Sequence, residues 1–79
     1  MRLRAYLTFT RENVTKPIIW ELIKTFDVVV NIRTAEVKDG MGLMALEIDG
    51  KPETVEKAVA WLESKGVRVE PIEQSVVAG

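Results

Sequence analysis

The stretch DVVVNIRTAEVKDGMGLMALEID, residues 27–49, decides the fold. Its first half is dense in β-branched side chains and alternates. Val28, Val30 and Ile32 share one face, with Val29, Asn31, Arg33 and Ala35 on the other. That pattern predicts a strand over 27–37. Lys38-Asp39-Gly40-Met41-Gly42 then reads as a turn whose two glycines can take positive φ, so residues 43–49 return as the second arm of a hairpin.

Working outward, each arm is flanked by a helix and then by another strand. Upstream, Ile18, Ile19, Leu22, Ile23 and Phe26 are spaced three and four apart and define one side of a helix. Val14 and Thr15 offer a staple residue and an N-cap, and Pro17 suits the first turn. Arg11 to Lys16 is a polar connection without glycine. Before it, Leu3, Ala5, Leu7 and Phe9 alternate with Arg2, Arg4, Tyr6 and Thr8, predicting a one-side-buried strand over 2–10. Downstream, Gly50-Lys51-Pro52 ends the hairpin and opens a second helix, with Glu53 favourable to its dipole. Val55, Ala58, Val59 and Leu62 form its apolar stripe, and Lys65-Gly66 closes it. Val67 and Val69, with Ile72 at the end, make the last strand, and residues 73–79 are expected to be a loose tail.

The order is therefore β-α-β-β-α-β. Right-handed crossovers put both helices on one sheet face and make the first and third strands central. The expected architecture is a ferredoxin-like α+β fold, a four-stranded antiparallel sheet with two helices on one face. It forms one domain over residues 1–79, with its core at about 2–72.

Composition narrows the chemistry. The chain has 79 residues, 47% of them apolar, with 11 basic and 12 acidic side chains and a net charge of −1. A chain this short buries only roughly 60–65% of its unfolded surface, so its core is marginal unless well packed or oligomeric. The charge balance supplies no long-range field for nucleic acid or an anionic membrane. Cysteine and histidine are absent, which removes disulfides, thiol redox chemistry, iron–sulfur ligation and the commonest zinc sites. No apolar run reaches the ~20 residues that span a bilayer, and the N-terminus has no apolar signal core. A cytoplasmic protein without membrane insertion is expected.

No catalytic constellation stands out, and an enzyme is not expected. A heavy-metal carrier of this topology would need Cys-x-x-Cys in the first loop. An acylphosphatase-like site would need a glycine-rich cradle there; Arg11 and Asn31 supply residue types but no glycine lets the backbone wrap an anion. An RNA-binding sheet would need aromatics on both central strands. The open face carries Arg2, Arg4, Tyr6, Arg33 and Arg68, yet the third strand offers only Leu43, Ala45 and Glu47, so no nucleic-acid partner is expected. Trp20 and Trp61 lie off the apolar stripes of their helices; each either covers the core along a helix flank or anchors a protein contact. Glu36, Asp39 and Asp49 sit near turns without ligand spacing, so neither a metal nor a cofactor is expected.

From Pro17-Ile18-Ile19 through Leu22 to Phe26-Asp27-Val28-Val29-Val30-Asn31-Ile32, the chain resembles the NIL domain, named for an Asn-Ile-Leu triplet on its second strand. Gly42, Gly50, Val55, Ala58, Leu62, Gly66-Val67 and Val69 continue the likeness over about residues 3–72. Here the triplet is Asn31-Ile32-Arg33, with arginine in place of leucine. The resemblance implies a regulatory or accessory module. Such domains end methionine-import ATPase subunits, where they bind the amino acid as dimers and damp transport, and they also occur joined to ferredoxin domains. It implies a homodimer with an amino-acid ligand and a transporter or ferredoxin partner. On the residues themselves, Asn31 is a polar amide in a β-branched strand, able to donate and accept. Arg33, on the same face, either pairs with a ligand carboxylate or with a cross-strand acid such as Glu47. Asn31 and Arg33 are thus the candidate ligand-binding residues, and Trp20 and Trp61 the candidate partner contacts. A docking module with no metabolite is the alternative.

Overall fold

A computed structural model of the chain describes residues 1–72; the tail expected at 73–79 lies outside them. The elements run β1 (Arg2–Phe9), α1 (Arg11–Val14), α2 (Ile18–Thr25), β2 (Val29–Lys38), β3 (Met41–Asp49), α3 (Pro52–Ser64) and β4 (Arg68–Pro71). The sheet is antiparallel with order β2-β3-β1-β4, so β1 and β3 are central, as the crossover argument requires. This is the ferredoxin-like α+β fold expected from the pattern.

One apolar layer holds it together. Ala5, Leu7 and Phe9 of β1 and Leu46 and Ile48 of β3 pack against Ile18 and Leu22 of α2 and Val55, Ala58 and Leu62 of α3, with Val28 and Val67 closing the ends. The stripe read for α2 is wider than the sheet can cover. Ile18 and Leu22 are buried and Ile19 and Phe26 partly so, but Ile23 is 46% exposed.

Three local features differ from expectation. The connection after β1 contains a helical turn, α1, capped by Thr10, whose Oγ1 accepts from the Asn13 amide at 3.3 Å. Thr15 ends that turn instead of starting α2, which begins after Pro17 with no side-chain cap. The turn buries Asn13, whose Nδ2 donates to the Lys65 carbonyl at 2.9 Å and so ties α1 to the end of α3. There Gly66, at φ +88°, closes a Schellman motif: its amide donates to Glu63 O and that of Val67 to Leu62 O.

The hairpin turn is tighter than residues 38–42. Lys38 pairs with Met41, leaving the two-residue loop Asp39-Gly40, at φ 54° and 78°. Positive φ at both positions is the primed geometry that matches strand twist. Gly42 is needed for space, since a Cβ there would lie 2.9 Å from Val14 Cγ2 and 3.4 Å from Phe9 Cβ.

The third difference reorients half of β2. The register steps from Ile32↔Leu46 to Thr34↔Ala45, making Arg33 the extra residue of a bulge. Beyond it Ala35 faces Met44 and Val37 faces Gly42, on the helix side, while Thr34 and Glu36 take the open face. Ala35 was expected on the open face with Asn31 and Arg33. Strict alternation fails there because one inserted residue flips every later side chain.

Candidate functional site

The sheet face that the helices leave uncovered carries a polar cluster centred on Glu47. The β1–β3 register sets Arg4 beside Glu47 and the β3–β2 register sets Asn31 on its other side. Arg4 Nε donates to Glu47 Oε2 at 2.6 Å, and Arg33 Nη1 reaches the same oxygen at 3.3 Å. Alternation keeps Arg33 on this face with Asn31, and the bulge adds Thr34 beside them. The Glu47 side chain is only 11% exposed, whereas that of Arg33 is 55% exposed. A carboxylate so covered is tolerable because it is paired and hydrogen-bonded. Burial by itself pushes the Glu47 carboxyl up; the hydrogen bond and charge of Arg4, the Asn31 amide and the charge of Arg33 outweigh it and hold the group below its ordinary value.

A pH dependence follows from that direction. A carboxyl with a depressed folded-state pKa contributes stability that is fully present above its unfolded value of 4.5 and lost as pH falls through the folded value. Glu47→Gln is therefore expected to lower the melting temperature near neutrality, and the gap to wild type should narrow as pH falls from about 6 to about 3. Melting curves across that range check it. A gap constant with pH would mean the carboxylate charge is not what the arginines recognise.

The cluster brings both candidate ligand residues to one carboxylate, and the cross-strand pairing of Arg33 with Glu47 is the one considered from the sequence. Arg4 and Tyr6 were read there only as members of a mixed face. Counting the register back from the Asp39-Gly40 turn sets Glu47 opposite Asn31 only when the bulge is allowed for, and nothing in the residue types marks a bulge at Arg33.

Beside the cluster lies an open basin of about 330 Å³ lined by Arg4, Tyr6, Arg33, Thr34, Ala45 and Ile72 among others. A second, apolar groove of about 280 Å³ lies where the start of α2 meets the β2–β3 hairpin, between Pro17, Ile18 and Trp20 on one side and Val37, Leu43 and Met44 on the other. Neither Asn31 nor Arg33 lines it.

The tryptophans occupy different settings. Trp20 is 58% exposed at the rim of this groove, with Lys24 Nζ 5.5 Å from its ring centroid. Trp61 is half-buried against the core, edge-on to Phe26 at 6.1 Å, with Lys65 Nζ 5.4 Å from its ring. Among the described residues no group of His, Cys, Asp or Glu side chains could hold a metal ion, and no helix is long and apolar enough to cross a membrane.

Comparison with known proteins supplies the family. The NIL domain family model matches residues 3–71. The chain is 37% identical over 70 residues to the methionine import ATP-binding protein MetN of Bacillus subtilis (strain 168), a match covering 84% of this chain and 20% of that protein. It is 36% identical over 66 residues to the L-aspartate semialdehyde sulfurtransferase iron-sulfur subunit of Methanocaldococcus jannaschii, covering 84% of this chain and 50% of that subunit. The chain thus spans about a fifth of the first relative and half of the second. Among solved structures, the C-terminal domain of an ABC transporter ATP-binding protein from Enterococcus faecalis superimposes with a TM-score of 0.80 at 21% identity, over 91% of this chain and 84% of that one. That likeness is one of fold. With the family model matching nearly the whole described chain, the protein belongs to the NIL domain family.

Proposed function

We propose that this chain is a regulatory module that binds a small molecule, an amino acid of the methionine type, and works as a homodimer without catalysing a reaction. The observation that carries the reading is the convergence of Asn31 and Arg33 on one buried carboxylate beside an open basin. Glu47 can only accept, so the Asn31 amide must donate to it through Nδ2. Its Oδ1 can then accept from an α-ammonium group at the edge of the basin, which Asn31 does not itself line, while Arg33 presents its remaining N–H donors to an α-carboxylate. Support for an amino-acid ligand also comes from relatives named for methionine import.

The dimer reading rests on β2. It is a ten-residue edge strand bearing Val29, Ile32 and Val37 at 71%, 49% and 69% exposure. Long edges with exposed apolar side chains pair with another strand unless something covers them. A second copy laid antiparallel along β2 would continue the sheet and cover all three.

A thermal-shift screen of the twenty amino acids, paired with sedimentation, tests this. A ligand at a hundred times its Kd adds about 2.7 kcal/mol, a rise of roughly 10 °C or more in a domain this small. Sedimentation should show twice the chain mass of 8.9 kDa. A domain that no amino acid stabilises is instead a docking module, the reading that exposed Trp20 and its groove favour, with a transporter or ferredoxin protein as partner. A stable monomer at high concentration would remove the dimer.

A further inference from the structure

We infer that the basin on the open sheet face reads the carboxylate end of its ligand through Arg33, and that its ligands are monocarboxylates with a short apolar tail. The inference rests on the ligand-binding reading above and adds which end of the molecule is recognised. The residue responsible is the third of the Asn31-Ile32-Arg33 triplet, where the family's naming triplet has leucine.

Among the described residues Arg33 is held at only one corner. Its Nη1 makes the longer of the two contacts to Glu47 Oε2, at 3.3 Å against 2.6 Å for Arg4 Nε. The 55% exposed guanidinium keeps Nε and Nη2 for an incoming anion, and a planar fork of this kind matches a carboxylate in two parallel hydrogen bonds. Two neutral hydroxyls stand beside it in the lining, those of Tyr6 and Thr34. Tyr6 is 47% exposed and its hydroxyl makes no hydrogen bond among the described residues. Both can donate to an anion.

Apart from Arg4, whose Nε is engaged by Glu47, the rest of the lining is apolar where an alkyl tail would lie. The Tyr6 ring, Ala45 and Ile72 form it, and about 330 Å³ accommodates a chain of a few carbons. Among the described residues, no aspartate or glutamate lines the basin. Glu47, the nearby acid, is 8% exposed and already engaged by Arg4, Arg33 and Asn31. Among the described residues an α-ammonium therefore meets at most the neutral Asn31 oxygen beside the basin, whereas an α-carboxylate meets the Arg33 charge in fork geometry. Of the two ends, the anionic one dominates recognition.

Three probes with one four-carbon tail separate the ends: norleucine carries both charges, hexanoate lacks the ammonium, and norleucinamide lacks the carboxylate. In calorimetric titration of the full chain, hexanoate should bind within about tenfold of norleucine, and norleucinamide at least about tenfold more weakly than norleucine, one charged pair being worth that factor or more. Arg33→Ala, at an exposed bulge position where circular dichroism can verify folding, should abolish the difference between norleucine and norleucinamide. Arg33→Lys should keep part of it. Norleucinamide binding as tightly as norleucine, or a folded Arg33→Ala that still prefers the acid, overturns the inference while leaving amino-acid binding intact. Hexanoate binding without norleucine leaves the inference standing and removes the amino-acid reading. If none of the three binds, the inference is wrong, and the wider reading then stands or falls on the twenty-amino-acid screen.

Discussion

Leu62→Ala is expected to destabilise the domain by about 2–4 kcal/mol, with the midpoint of urea unfolding as the readout. Leu62 is fully buried on the inner face of α3, in the same cluster as Leu7, Leu22, Leu46 and Val55. Truncation removes its dispersion contacts and leaves a cavity between helix and sheet. The surroundings can relax little, because α3 is fixed at that end. The Leu62 carbonyl accepts the Val67 amide of the C-terminal motif, and the Asn13 side chain holds the Lys65 carbonyl from α1. A domain of this size has a total stability of only about 4–12 kcal/mol, so the variant gives up a large share of it. Lys57→Ala, on the exposed face of the same helix, should change stability by less than about 0.5 kcal/mol. Equal losses in the two variants would mean that α3 presents a different face to the sheet.

The contrast between these positions was readable from spacing alone, and so was most of the fold. Helix stripes and strand alternation are consequences of burying one side of an element, and Val55, Ala58 and Leu62 announce theirs without ambiguity. Where sequence reasoning fell short, burial was not the deciding force. Thr10 and Thr15 are both competent caps, and only the space under Gly42 and the Asn13–Lys65 bond select the first for a separate helical turn. The bulge at Arg33 occurs on an edge strand whose residues 31–38 are all exposed. With neither face of that segment buried, its register carries little hydrophobic signal and a one-residue slip is silent in the pattern. The candidate site inherits this. Asn31 and Arg33 could be singled out as polar residues in a β-branched strand, but their convergence on Glu47 depends on cross-strand register.

Asn31→Ala is expected to weaken amino-acid binding by about 1–2 kcal/mol, or roughly 5- to 30-fold, while leaving the domain folded. In the proposed site the Asn31 oxygen is the partner of the ligand ammonium, and its removal leaves that group facing a methyl. The exposed position of Asn31 sets the upper end of the range, since water can partly replace the lost acceptor. Folding should suffer little: a strand disfavours asparagine, and Glu47 keeps its shorter contact to Arg4 at 2.6 Å. One side effect distinguishes a ligand contact from a merely structural amide. Without the Asn31 donor, Arg33 and Arg4 alone hold Glu47, so Arg33 is drawn closer to the acid and less available to a carboxylate. Hexanoate binding, which needs no ammonium acceptor, should then fall by less than norleucine binding. Titration of wild type and variant with both probes separates the cases. Equal weakening of the two would assign Asn31 to holding Glu47 and Arg33 in place, and undiminished binding of norleucine by a folded variant would remove Asn31 from the site.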